Sequence, residues 1–280
     1  MTGTGTTIRT DAPAEGVARI TLARPEMRNA QNLAMLYDLN AAFDAAAQDP
    51  GVKVIVLAAD GPHFSSGHDL AADRTMPDRP RGTVWGGFDQ PGAEGRQARE
   101  EEYYLGFCQR WRDLPKPTIA QVHGKAIAGG LMLAAVCDLI VASEDATFSD
   151  PTVAFGVNGV EWFSHPWDFG LRKAKELLFT GGMLGAAEAR AIGFVNHVVP
   201  RDELEGFTLG LAKRIASRPS MGLRLAKQSV NAAQDAQGFR SAMATAMALH
   251  HVGHSNNMEV HGRIVDPSGM EVIRREAKGG

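Results

Sequence analysis

The sequence predicts an α/β core followed by an all-helical C-terminal region. Three observations carry that class. Strand-like and helix-like segments alternate in the first half, which favours parallel pairing. Beyond about Pro166, helical periods dominate. Two glycine-bearing turns sit beside strands or helices of the first half. With 280 residues, 44% hydrophobic and 22% charged, the chain is long enough for a core without staples. Lys plus Arg is 29 against 32 for Asp plus Glu, a net charge of −3, so no basic face for nucleic acid is expected. The longest apolar run, Ala126 to Cys137, falls short of the ~20 residues a membrane span needs. The N-terminus lacks the apolar core of a secretory signal. Cys108 and Cys137 fit no C-x-x-C or zinc pattern. A reduced, cytoplasmic protein is the simplest expectation.

Each element follows from local pattern. Residues 1–16 read as a disordered lead-in. Val17–Leu22 alternates as a half-buried strand does. From Asn32 to Gln48, Leu33, Leu36, Leu39, Ala42 and Phe43 share one helical face. Asp49-Pro50-Gly51 stops that helix. Val52–Ala58 is a buried strand. Residues 71–96 hold Pro77, Pro80 and Pro91 among glycines and scattered charges, and read as a mobile lid or insertion. A helix from about Gln97 to Asp113 follows. Pro115 and Pro117 force an extended entry to a strand at Thr118–His123. Gly124–Gly130 reads as a small-residue loop, after which Leu131–Val136 opens a helix and Asp138–Ser143 returns as a strand. Helices are expected at Lys173–Phe179, Ala186–Ile192, Asp202–Ser217, Ser220–Ala233, Phe239–His251 and Asn256–Val265, with one strand at Val195–Val199. The division is a core at 17–200 and a helical region at 201–280. Met243, Met247 and Leu249 form an apolar stripe for the core or for another subunit.

Two turns have the composition of oxygen-binding sites. Phe64-Ser65-Ser66-Gly67-His68-Asp69-Leu70 follows the strand Val52–Ala58, and Ala128-Gly129-Gly130-Leu131 precedes a helix. A helix start presents unpaired N–H groups and partial positive charge. Glycine lets a ligand approach the backbone. Two N–H groups aimed at one oxygen make an oxyanion hole. Singly, each motif favours the reading of a tight turn; a pair in one α/β core shifts the odds, but spacing does not show that they converge.

The motifs in order resemble the enoyl-CoA hydratase/isomerase family, the crotonase superfamily. The matching pieces are Arg24-Pro25-Glu26-Met27-Arg28-Asn29-Ala30, the Phe64–Leu70 segment, Pro115-Lys116-Pro117-Thr118-Ile119-Ala120, His123-Gly124 through Gly129-Gly130 to Cys137-Asp138, Phe148-Ser149-Asp150-Pro151, and Ala189-Arg190-Ala191-Ile192-Gly193-Phe194-Val195. The resemblance implies a crotonase-like spiral of ββα units, a C-terminal trimerisation region, a homotrimer or hexamer, and an acyl-CoA thioester as small-molecule substrate. It implies oxyanion donors at the backbone N–H groups of His68 and Gly129. Glu26, Met27, Arg28 and Ser66 would edge the coenzyme A site, with Gly67, Gly130, Met132 and Thr152 lining the substrate site. A guanidinium pairs well with phosphate, so Arg28 is a candidate, equally readable as a solvated surface charge.

The sequence departs from the hydratase pattern. Family hydratases carry one Glu shortly after the Gly-Gly and another after the F-x-x-P step. Those positions here are Met132 and Thr152, which do not titrate near neutrality. One acid remains nearby, Glu161, where some family isomerases carry theirs. Its neighbours Val160, Trp162 and Phe163 lead one to expect desolvation and a raised carboxyl pKa. The bland reading is a Glu favoured by a helix start. The His68 side chain is an acid/base candidate, but a backbone-only role is the simpler reading. Asp69 reads as a cap. His250, His251 and His254 fit no H-E-x-x-H motif and read as a histidine-bearing helix face, so no metal and no cofactor are expected. The expected activity is enolate chemistry on an acyl-CoA, as an isomerase or an atypical hydratase/dehydratase through Glu161. The alternatives are thioester hydrolysis, dehalogenation or decarboxylation at the same hole, or a non-catalytic acyl-CoA binder.

Overall fold

The computed structural model describes residues 7–72 and 75–279, without the side chains of 276–279. Strands β1 (Ile8–Ala14) and β2 (Val17–Leu22) form a hairpin, and α1 (Leu33–Gln48) leads to β3 (Val54–Ala59). A long helical segment follows: α2 (Gly92–Glu100), a π-helical stretch Glu101–Gly106, and α3 (Phe107–Arg112). Next come β4 (Thr118–Val122), β5 (Lys125–Ile127), α4 (Gly129–Ala135), β6 (Leu139–Ser143) and β7 (Thr147–Ser149). After α5 (His165–Phe169), α6 (Leu171–Thr180), β8 (Leu184–Gly185), α7 (Ala186–Ala191) and β9 (His197–Val199), the chain ends in α8 (Leu204–Ala216), α9 (Ser220–Ala236), α10 (Phe239–His261) and α11 (Gly269–Gly279). No helix among the described residues is long and apolar enough to cross a membrane.

Six strands form one sheet in the order β1-β2-β3-β4-β6-β9, parallel from β2 onward, and β5-β7-β8 form a smaller sheet. Successive strand pairs β4/β5 and β6/β7 each lend one strand to each sheet, which is how ββα turns stack into a spiral. Parallel strands covered on both faces read as continuous apolar runs, as Val54–Ala59 does. One face packs Val54, Val56, Ile119 and Val141 on Leu204, Leu211 and Ala212 of α8. The other packs Ile55, Leu57, Ala120 and Val122 in the main core with Leu36, Leu39 and Phe43 of α1 and Trp111 of α3.

Five expectations are corrected. The expected loop Gly124–Gly130 contains strand β5, held in place by pairing with β7. Residues 8–14, expected in a disordered lead-in, form β1; residues 1–6 lie outside the described residues. β1 has no apolar alternation because it is a charged edge strand, tied by Arg19–Asp11 at 2.6 Å and Arg9–Asp60 at 2.6 Å. The helix expected from Gln97 begins at Gly92, inside the stretch 71–96. The helices expected at Phe239–His251 and Asn256–Val265 are one helix ending at His261. The helix runs on because polar side chains on its inward face find partners, as when Asn257 Nδ2 donates to Phe155 O at 2.8 Å. Lastly, the stripe of Met243, Met247 and Leu249 splits: both methionines are core and Leu249 is 54% exposed.

Candidate active site

The two glycine turns meet. Ser65 N–H donates to Lys125 O at 3.1 Å and Ile127 N–H to Ser65 O at 3.0 Å, so the first turn runs as a short strand beside β5. A Cβ on Gly67, whose φ is +97°, would lie 2.9 Å from Ile127 O and 3.3 Å from Gly129 N. A Cβ on Gly130 would lie 2.3 Å from Ser65 O. Glycine is therefore required by close approach of two backbones, in addition to turn geometry.

Both candidate N–H donors are freed by their elements. Gln31 bridges Gly67 O and Asp69 N at 2.8 and 2.9 Å, on either side of His68. In such a parallel pairing, the N–H of the intervening residue points away from the partner strand. Gly129 opens α4, where the first N–H groups have no acceptor within the helix. Its predecessor Ala128 has φ 49° and ψ −113°, a conformation L-residues avoid, and is held there by donating to Ser149 O at 2.8 Å.

A titratable pair stands beside these donors. Nε2 of His68 lies 3.0 Å from Oε2 of Glu161, which is 5% exposed. The His68 ring stacks on Tyr104, centroids 3.9 Å apart and planes 26° apart. Its Nδ1 is buried without a hydrogen-bond partner among the described residues. A Cβ on Gly129 would be 2.6 Å from the same ring. Burial pushes the Glu161 carboxyl up, but the charge and hydrogen bond of His68, with His250 behind, hold it well below the usual carboxylate range. The sequence expectation of a raised pKa is thus reversed. Chain neighbours are not neighbours in space: Trp162 turns to Phe239 and Phe163 to His165.

The other expected residues fall around this centre. Glu26 and Met27 lie on the exposed 3₁₀ turn Pro25–Met27, and Arg28 O accepts from Ser66 N–H at 3.0 Å, so that edge reaches the first glycine turn. Met132 is fully buried in the core. Thr152 is buried and donates its hydroxyl to Asp150 Oδ1 at 2.6 Å. Asp150 is itself 1% exposed and anchors the Glu161 loop by accepting from Val160 N–H at 2.9 Å. Asp69 is structural, pairing with Arg24 at 3.2 Å and capping Ala71 N–H. His250, His251 and His254 face inward and are buried.

Sequence reasoning missed Tyr104 and Gln31. Tyr104 reaches His68 only because the π-helical stretch Glu101–Gly106 re-aims it, and no residue pattern announces a π turn. The same stretch presents Glu102, which accepts from Gly82 N–H at 2.7 Å and Thr83 N–H at 3.0 Å and pins part of the 71–96 stretch. Gln31 donates to Ser65 Oγ at 3.2 Å and leaves a buried Oε1 beside Gly129 without a hydrogen-bond partner among the described residues.

This arrangement has relatives. The enoyl-CoA hydratase/isomerase family profile matches residues 13–265. The Mycobacterium tuberculosis protein EchA13 is 47% identical over 253 residues, covering 88% of this chain and 80% of that one. The crystal structure of a probable enoyl-CoA hydratase from Mycobacterium smegmatis superposes with a TM-score of 0.85 at 45% identity, over 93% of this chain and 99% of that one. A monofunctional enoyl-CoA isomerase from Mycobacterium smegmatis superposes with a TM-score of 0.66 at 29% identity, over 82% of this chain and 94% of that one. A match over nearly the whole core, on a fold whose glycine turns meet as the motifs require, places the chain in the enoyl-CoA hydratase/isomerase family, the crotonase superfamily.

Proposed function

We propose that the protein isomerises the double bond of an acyl-CoA thioester, without a cofactor, through an enolate. The observation that supports this most is the meeting of the turns that carry the His68 and Gly129 N–H groups, beside the His68–Glu161 pair. The thioester oxygen sits between the two N–H groups, whose preorganised dipoles stabilise the negative charge that develops on it. The turn Glu26–Arg28 and Ser66 edge the coenzyme A portion, with Arg28 toward a phosphate.

Glu161, held ionised, orients the His68 ring by accepting from Nε2–H. The lone pair then sits on Nδ1, the unpartnered nitrogen, which removes a proton from one carbon and returns it to another. Isomerisation needs this one travelling proton. Hydration needs in addition an activated water, and Met132 and Thr152 supply no base for it.

The test compares 3-enoyl-CoA isomerisation with crotonyl-CoA hydration. Wild type is expected to isomerise and to hydrate slowly or not at all. Glu161→Gln and His68→Ala, which keeps the backbone N–H, each lower isomerase kcat by ~10²–10⁴-fold with KM little changed. The double variant is no worse than the worse single, because the two act as one unit. Hydration at ordinary enzyme rates, unaffected by Glu161→Gln, overturns the proposal.

A further inference from the structure

Behind Glu161 lies a second cluster that the proposed reaction does not use. Glu100 closes α2, and His250 and His254 stand one turn apart on the inward face of α10. All three are buried, at 3%, 4% and 5% exposure, and one ligand atom from each lies within 4.8 Å of the others. From this geometry we propose that Glu100, His250 and His254 bind one divalent first-row transition cation.

The hydrogen bonds of the two imidazoles fix which nitrogens are available. His250 Nδ1 lies 2.9 Å from Gly159 O, and His254 Nδ1 lies 2.5 Å from Ile264 O. A carbonyl only accepts, so each Nδ1 carries the proton and donates it. In the neutral rings both Nε2 atoms therefore present lone pairs. Those lone pairs face carboxylate oxygens: His254 Nε2 is 3.5 Å from Glu100 Oε1, and His250 Nε2 is 3.7 Å from Glu161 Oε1. Lone pair facing lone pair in a buried site is unfavourable unless something positive stands between them.

Within the set, the 3.5 Å between His254 Nε2 and Glu100 Oε1 exceeds the ~2.7–3.2 Å of an N–H···O hydrogen bond. Two ligands at ~2.0–2.1 Å from a tetrahedral zinc lie about 3.4 Å apart. Ligating histidines commonly give their second ring N–H to a backbone carbonyl, as both do here. Glu100 Oε2 is buried without a hydrogen-bond partner among the described residues, with His251 Nε2 3.6 Å away. The donor set of two imidazoles and one carboxylate, with Glu161 and His251 at its margin, suits zinc, iron, cobalt or nickel over magnesium or calcium. The charged side chains around it include Glu100, Glu101, Glu161 and Arg96, whose Nη2 donates to Ser255 Oγ at 3.2 Å. With the imidazoles neutral these carboxylates outnumber the guanidinium, and a divalent cation offsets the excess.

The test uses the full chain, stripped with a chelator and titrated with zinc and, separately, cobalt(II). Wild type is expected to take up one equivalent, to show the visible bands of low-symmetry cobalt, and to melt at a higher temperature when loaded. X-ray absorption of the zinc form should show two imidazoles at ~2.0 Å with oxygen completing the shell, a readout that needs no variant. Glu100→Gln and His254→Gln should weaken binding by more than the ~10–100-fold typical of losing a residue that merely orients a ligand. No stoichiometric uptake by wild type, a shell without two imidazoles, or uptake unchanged in folded variants overturns the proposal. The last result would place the metal on surface histidines. The first would leave a cluster that shares protons alone. None of these readouts depends on acyl-CoA turnover, so failure here and failure of the isomerase assignment are distinct.

Discussion

Asp150 shows how one side chain fixes the site from a distance. It holds Thr152 and Val160 N–H, with Nε2 of His165 2.9 Å away as an ion-pair contact, so the loop that carries Glu161 hangs on it. Burial alone would raise its carboxyl pKa, but the His165 bond and charge, with Thr152 and Val160, bring it below the ordinary value of 3.8. A depressed folded pKa means stability that is present above the unfolded value and lost as pH falls through the folded one. Asp150→Ala should therefore cost ~3–5 kcal/mol at pH 7, and its gap to wild type in urea denaturation should narrow below about pH 4. A gap independent of pH would rule this out. At this scale the sequence was partly legible. Gly67, Gly129 and Gly130 marked the two turns through their type and neighbours, but not that the turns meet. The pairing of His68 with Glu161 was not legible, because residues 93 apart carry no local sign of contact.

The elements that build the site differ in how they tolerate change. Gly129 and Gly130 are adjacent in α4, yet a methyl on the first meets the His68 ring and Gln31, while a methyl on the second meets the backbone of Ser65. Side chains can move and paired backbone cannot. Gly130→Ala should thus lose ~1–3 kcal/mol of stability or more, as overpacking does, and Gly129→Ala less. Gly129→Ala should instead lower kcat, because it displaces the ring that moves the proton. Thermal melts and kinetics of the two variants side by side decide this. Strands and long helices were readable from period and punctuation, as Asn32, the N-cap of α1 that accepts from Met35 N–H, illustrates. The edge strand β1 and the continuity of α10 were not. Their stability comes from partners elsewhere in the chain: β2 for one, Phe155 and Ile264 carbonyls for the other.

For the whole molecule, the outward side of α10 is the feature that asks for a partner. Leu249, Val252 and Val260 share that side at 54%, 63% and 63% exposure, opposite the buried histidines. Together with the family resemblance, this supports a homotrimer or hexamer, in which such a face is covered by another copy. Light scattering should report a mass at least three times that of one chain, and Val252→Glu should shift it toward the monomer without unfolding. A wild type that stays monomeric at micromolar concentration would refute the assembly. The two-part division, an α/β core and a helical end, could be seen in the sequence because it rests on composition and period. The spiral could not be seen that way, since it depends on which sheet each short strand joins; it came from the resemblance.

The π-helical stretch Glu101–Gly106 is a dislocation in a screw. The thread runs from Gly92 to Arg112 with one residue too many for its pitch. Removing a single residue there would let the thread run true, and about 100° of phase would have to be absorbed by one flank. If α3 kept its grip through buried Phe107 and Trp111, Glu100 would swing away from the histidines of α10. If α2 held, Trp111 would leave the core. The spare residue is thus what allows one rod to serve two masters, the hydrophobic interior at one end and the buried charges at the other. This stretch of chain should be among the least forgiving of length changes anywhere in the protein, whatever residue is chosen for deletion.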